Sequence, residues 1–377
     1  MEVSNTMNDR IKALMDLERQ VPAQMLYEFS DLDAKEQAEL AKVWHQIPLK
    51  RRQTFMQDLV SLADNDDMLM FEGLARVALE DEDSDVLVSA IDLLFEAEDC
   101  RLVPLYLRLL ADQSHNELVR AAVANALGPY VYLGETEKLK SNLLIEIEES
   151  LLKSYREDPS DLVNRRALEA LGYSGRAEIP ALLRKAAAAN DELWLESAMF
   201  AMGRSADEQW EEQILENLEH ENVAVRIQAV HAAGELALSK ARKRLLKGID
   251  LVQDETLRHE IIWALASIGG EGVERKLESL MKNADNDEEA AFIDEALELL
   301  NFTEGSEELE MFAVPWQEGS KEELPGHQAD EIEDEDDDYL LDQDFDEEEW
   351  EVYVDDDDNE ADDEDDYTVG DFDEDRF

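Results

Sequence analysis

The sequence has 377 residues, 44% of them hydrophobic, and a formal net charge of -62 from 96 acidic and 34 basic side chains. That is enough apolar material for a sizeable core, and a field of this sign repels nucleic-acid backbones and anionic lipid headgroups, so neither is an expected partner. Cys100 is the only cysteine, which excludes an intramolecular disulfide and suits a small buried hydrophobe. The opening MEVSNTMNDR has acids and amides where a signal peptide needs a basic start and an apolar run, and no later stretch reaches membrane-spanning length, so a soluble, cytoplasmic protein is expected.

In chain order, residues 1–64 alternate apolar stretches with breaks at Pro22, Asp31 and Pro48, the pattern of a helical cap. Within residues 65–301 one decade keeps returning: VRAAVANALG from Val119, VNRRALEALG from Val163, WLESAMFAMG from Trp194, VRIQAVHAAG from Val225 and LRHEIIWALA from Leu257. Weaker copies start at Val86 and Glu289, giving about seven units with a period near 32 in the later ones and one insertion near 130–140. Apolar or small residues at places one, five, eight and nine form one helix face, and the alanines let helices approach closely. A shorter amphipathic segment, such as IPALLRKAAAA from Ile179, follows each decade, with Asp161, Asp191 and Asn222 where the next helix must start. Neither helix of such a pair covers its apolar stripe alone, so the pairs must stack into an all-α solenoid.

Residues 302–327, with Gly305, Pro315, Gly319, Pro325 and Gly326, read as a linker in which the fold has ended near Leu300. Residues 328–377 hold 29 acids and one base, Arg376, and are expected to be a disordered acidic tail.

The decade resembles the V-R-x-x-A-x-x-A-L-G helix of HEAT repeats, in particular the short bacterial type of phycobilin lyase subunits. Ala264, Leu265, Ser267, Ile268, Gly269 and Gly270 extend the likeness into an A-L-G-x-I-G ending, from which Ala266 departs. The leader from Phe29, FSDLDAKEQAELAKVWHQIPLKRRQTFMQDLVSLAD, is similar to that of a group of bacterial HEAT-repeat proteins, a likeness that carries no activity. The resemblance implies that the decade helices line a concave side.

His259 and Glu260 resemble the His-Glu pairs that hold two irons in deoxyhypusine hydroxylase, a HEAT-like enzyme. The equivalent places elsewhere hold Ala121 and Ala122, Arg165 and Arg166, Glu196 and Ser197, and Ile227 and Gln228, so no second pair converges; His220 and Glu221 lie in a turn. No phosphate loop, Cys-X-X-Cys pair, nucleophile elbow or EF-hand loop appears, and Asp355–Asp358 reads as solvated charge. Neither a catalytic residue nor a cofactor or metal site is expected.

Three surfaces are candidates for binding. Places three and seven of the decade point away from its buried face, so Glu196, Phe200, Ile227, His231, His259 and Trp263 make an aromatic stripe with polar edges, suited to a protein or peptide. The basic cluster Lys240, Arg242, Lys243, Arg244 and Lys247 is either a solvated outer face or a landing place for the chain's own tail. In the tail, Trp350, Val352, Tyr353 and Val354 interleave with acids and offer docking points for a basic partner, against the plain role of a solubilising brush. The expected function is a noncatalytic interaction scaffold; the alternatives are a lyase-like or metal-dependent HEAT enzyme subunit, or a regulator whose tail mimics nucleic acid.

Overall fold

A computed structural model of the chain describes residues 6–66, 68–284 and 286–312, and among these every regular element is a helix. First come α1 (Met7–Met15), α2 (Ala23–Tyr27), α3 (Ala34–Ala41) and α4 (Leu49–Ala63). Helix pairs follow: α5 (Glu72–Ala78) with α6 (Ser84–Asp92), and α7 (Val103–Ala111) with α8 (Glu117–Ala126). After the inserted α9 (Gly128–Glu135) come α10 (Ser141–Glu157) with α11 (Asp161–Ala170), α12 (Ile179–Ala187) with α13 (Glu192–Arg204), and α14 (Glu211–Asn217) with α15 (Val223–Glu235). The last pairs are α16 (Arg242–Gly248) with α17 (Glu255–Ile268), and α18 (Val273–Met281) with α19 (Asp287–Phe312).

All seven decades fall on one row of stacked helices: α6, α8, α11, α13, α15, α17 and α19, each packed on the next. We call it the inner row and the shorter partners the outer row. The N-terminal helices join the stack, since α4 packs on α6 and takes the place before the first decade. The insertion foreseen near 130–140 is α9 together with a lengthened α10. Helix α19 runs to Phe312, past the expected end of the fold near Leu300: Gly305 costs a helix interior about 1 kcal/mol, too little to stop a segment otherwise rich in Glu and Leu. The tail from 328, with its docking candidates Trp350, Val352, Tyr353 and Val354, lies outside the described residues.

Inner-row helices start at side-chain caps. Asp83, Asn116, Asp191, Asn222 and Asp254 each accept a hydrogen bond from a backbone N–H in the first turn. At α11 the cap position is Ser160, one residue before the expected Asp161, and its own N–H is taken by Asp158 at 2.9 Å. Asn222 works in two directions, since Oδ1 accepts from Ala224 N at 2.8 Å while Nδ2 donates to Glu192 Oε2 on the preceding inner helix at 2.7 Å. Asn222→Ala is therefore expected to lower stability by about 1 kcal/mol, read from chemical denaturation, with the loss of hydrogen-exchange protection centred on α15.

The core follows the decade. Places one, five, eight and nine are buried in the five clear copies apart from Trp194, which is half-buried and edge-on to Tyr155 at 6.1 Å. Place six is buried as well, by Ala124, Leu168, Met199, Val230 and Ile262. A helix stacked between two of its own kind covers both flanks, which widens the apolar arc beyond that of a surface helix. At two of the decades the closing glycine has a steric reason against the backbone of the next helix. A Cβ on Gly172 would lie 2.7 Å from the Ala201 carbonyl oxygen and one on Gly203 would lie 2.9 Å from Ala232 Cα, so place ten of one helix sits directly on place eight of the next.

Arginines tie successive units together. Arg120, at place two, donates Nε and Nη2 to the two carboxylate oxygens of Asp158 at 2.9 and 3.0 Å, with both side chains at 5% exposure or less. Arg52 on α4 meets Asp81 at 2.7 Å, where Trp44 Nε1 also donates, and Arg258 on α17 meets Glu289 on α19 at 3.1 Å. Each pair links one inner-row helix to the start of the next or to the turn before it.

Candidate protein-binding face

The six residues expected at places three and seven are half-buried, and they lie on the flank of the inner row that its helix neighbours leave uncovered. The structure brings the three at place seven together. Phe200 on α13, His231 on α15 and Trp263 on α17 form a ladder with ring centroids 5.7 and 4.9 Å apart and interplanar angles of 27° and 15°. Gly234 makes the seat for the last rung, because a Cβ there would meet Trp263 Cζ3 at 2.5 Å. The glycine here makes room for a ring as well as for the backbone of the next helix, since the same Cβ would lie 3.0 Å from Ala264 Cα. Place three is less uniform: Glu196 and Ile227 contribute polar and apolar edges, and His259 turns to Phe292 on α19, 4.6 Å away.

The ladder extends through residues that the repeat pattern did not single out. The Arg204 guanidinium lies over Phe200 at 4.0 Å and over Tyr173 at 4.9 Å, donates Nη1 to the Glu169 carbonyl oxygen, and is held below its ordinary pKa by burial. Tyr173 packs at a tilt against Tyr132, with ring centroids 5.5 Å apart. Tyr173, Arg204 and Glu235 all occupy place eleven, one residue beyond the glycine and one turn beyond place seven, and carrying the helical period past that glycine would have found them.

His231 is fixed from both sides as well as from its faces. Its Nδ1 is 2.8 Å from Glu260 Oε1 and its Nε2 is 3.5 Å from Glu235 Oε1. The adjacent His259 and Glu260 therefore face different neighbours, and among the described residues no cluster of three or more His, Cys, Asp or Glu side chains has the arrangement of a metal site.

The basic cluster lies on the outer row and divides into two sets. Lys240 pairs with Glu211 at 2.7 Å, Arg244 donates to the Leu215 carbonyl at 2.7 Å, and Arg242 donates to the Gly269 carbonyl at 3.1 Å while lying across Gly270, whose φ of 87° suits glycine alone. These three hold α16 to its neighbours. Lys243 and Lys247 are exposed. The landing of the tail on this cluster lies outside the described residues, as does the tail itself.

Two rows of antiparallel helix pairs, each unit covering the next, define an α-solenoid. Residues 211–301, which span α14 to the body of α19, match the family model for HEAT repeats. Among solved structures, importin beta is similar at 14% identity over 78% of this chain and 46% of that one, with a TM-score of 0.37. Escherichia coli YibA is similar at 17% identity over 75% of this chain and 98% of that one (TM-score 0.38), and human deoxyhypusine hydroxylase in complex with glycerol at 16% over 78% and 96% (TM-score 0.32). The chain spans about half the length of the importin beta chain. Similarities this distant assign no activity. A search of curated proteins finds no match. No helix among the described residues is long and apolar enough to cross a membrane.

Proposed function

We propose that this protein is a noncatalytic scaffold that binds a protein or peptide along the exposed flank of its inner row. The observation that supports this reading is the half-buried ladder Phe200–His231–Trp263, three flat rings set at one place of three successive helices and flanked by Glu196, Ile227 and His259. Aromatic groups half-open to water on a rigid framework carry a disproportionate share of binding energy, because they bury a large area with little loss of rotamer freedom. The close approach of inner-row helices at Gly172 and Gly203 supports the reading that this flank lines the concave side of the stack. A noncatalytic role is supported by the engagement of His231 with Glu260 and of His259 with Phe292, which commits the histidines to structure. The acidic segment 328–377 adds a second contact for a basic partner or maintains solubility, and the lone Cys100 suits the cytoplasm.

Site-specific photocrosslinking in the native cell tests the reading. A benzophenone side chain at Ile227 or Leu193, on the inner row, is expected to trap discrete partner proteins. The same group at Glu212 or Lys243, on the outer row, is expected to trap none of them. Equal trapping from both rows, or trapping from the outer row alone, would place the binding surface elsewhere.

A further inference from the structure

The two ends of the aromatic ladder are finished differently. At the α13 end the chain supplies its own cation, Arg204, seated over Phe200 and Tyr173. At the α17 end Trp263 has His231 stacked on one side, and among the described residues no cation lies over it. The next residue at place seven, on α19, is Glu295, which is exposed. Glu260, one turn before Trp263 at place four of α17, binds His231 through one carboxylate oxygen, which leaves the second free of His231. On α15, α17 and α19 together, places three, four, seven and eleven carry Glu235, Glu260 and Glu295, no lysine or arginine, and two histidines already packed against rings. Phe302, 76% exposed, continues the same stripe of α19 through Phe292, Glu295 and Leu299.

Resting on the binding role given above for this flank, we propose that its α17–α19 end receives an arginine side chain from a basic, extended segment of a partner protein, the guanidinium lying over Trp263 and pairing with Glu260 and Glu295. The guest would complete the ladder at this end as Arg204 completes it at the other. Arginine fits better than lysine because a planar guanidinium stacks on an indole and donates to two carboxylates at once. The neighbouring aromatics Phe292 and Phe302 supply the apolar floor for the flanking residues of the segment.

The test uses the full chain labelled with 5-fluorotryptophan and followed by fluorine NMR, with the Trp263 signal assigned through Trp263→Phe and the Trp350 signal through Trp350→Phe. The probe is the blocked peptide acetyl-Gly-Arg-Gly-Arg-Gly-amide, compared with its citrulline analogue, which keeps the shape and loses the charge. The Trp263 signal is expected to shift saturably with the arginine peptide and not with the citrulline peptide, and Glu260→Gln with Glu295→Gln is expected to weaken that response roughly fivefold. Unchanged Trp44 and Trp210 signals, both from buried rings, certify the fold of the variant. The proposal is overturned if the arginine peptide moves only Trp350, if citrulline acts equally well, or if the double variant responds like the parent. Partners that still crosslink to Ile227 in the double variant would uphold the scaffold and remove only the arginine.

Discussion

Arg120→Ala is expected to lower the stability of the stack by about 3–5 kcal/mol, the cost of leaving one member of a buried ion pair without its partner. The pair links α8 to the turn before α11, and the orphan would be Asp158, whose side chain is 1% exposed. Burial pushes the Asp158 carboxyl upward, but the hydrogen bonds from Arg120, the Ser160 amide and Gln113 outweigh it and hold the group below its ordinary value. A depressed carboxyl contributes stability that is present above its unfolded pKa, near 4, and is lost as pH falls through the lower folded value. The penalty of the substitution is thus expected to be full at neutral pH and to shrink in acid, first as the variant's orphaned carboxyl, raised by burial, takes up a proton and then as the parent loses its own contribution below about pH 4. Arg120→Met combined with Asp158→Leu is expected to recover most of the loss, since an apolar pair of similar volume carries no desolvation cost. Hydrogen exchange across α8, α10 and α11 is the measurement of choice, because stacked repeats open locally. An Arg120→Ala protein as stable as the parent at pH 7 would show that the pair contributes nothing net.

Gly172→Val is expected to cost about 3 kcal/mol, at the upper end of what overpacking usually costs. The added Cβ would meet Ala201 O at 2.7 Å and Ala201 Cα at 2.9 Å, and both are backbone atoms that can give way only if α11 and α13 separate. Gly248 is the internal comparison. A Cβ there meets nothing within 4 Å, so Gly248→Ala is expected to be neutral or to stabilise by up to about 1 kcal/mol through helix propensity alone. Equal behaviour of the two substitutions, read as midpoints of denaturation, would remove the close approach as the reason for glycine at place ten.

The repeat made most of this architecture legible. A helix face with alanine or glycine at fixed places has few ways to be buried, so the decade predicted the inner row, and the insertion showed as a break in its period. What escaped was whatever depended on a neighbouring unit. The burial of Leu168 and Met199 at place six comes from the flanking helices of the row, which a wheel drawn for one helix leaves out. Arg204 escaped for a related reason: its partners Phe200 and Tyr173 stand on different units, and only stacking brings them to one cation. The run of α19 through Gly305 to Phe312 escaped because a single glycine was read as punctuation when the residues around it favour helix. Of the candidate face, Phe200, His231 and Trp263 were legible as a stripe; their contact with one another was not.

The inner row adds backbone contact to its side-chain bridges. Gly172 and Gly203 put inner-row backbones in contact, whereas from α12 onward the outer row is bridged by Arg184 to Gln209, Lys240 to Glu211, Arg244 to Leu215 and Lys276 to Asp250. Long side chains can pivot and lengthen through their rotamers, and backbone contacts cannot. Any bending of the stack is therefore expected to open or close the outer row while the inner row keeps its length, as the leaves of a book fan about a bound spine. Rungs fixed to that spine, such as Phe200, His231 and Trp263, would hold their spacing through such a change.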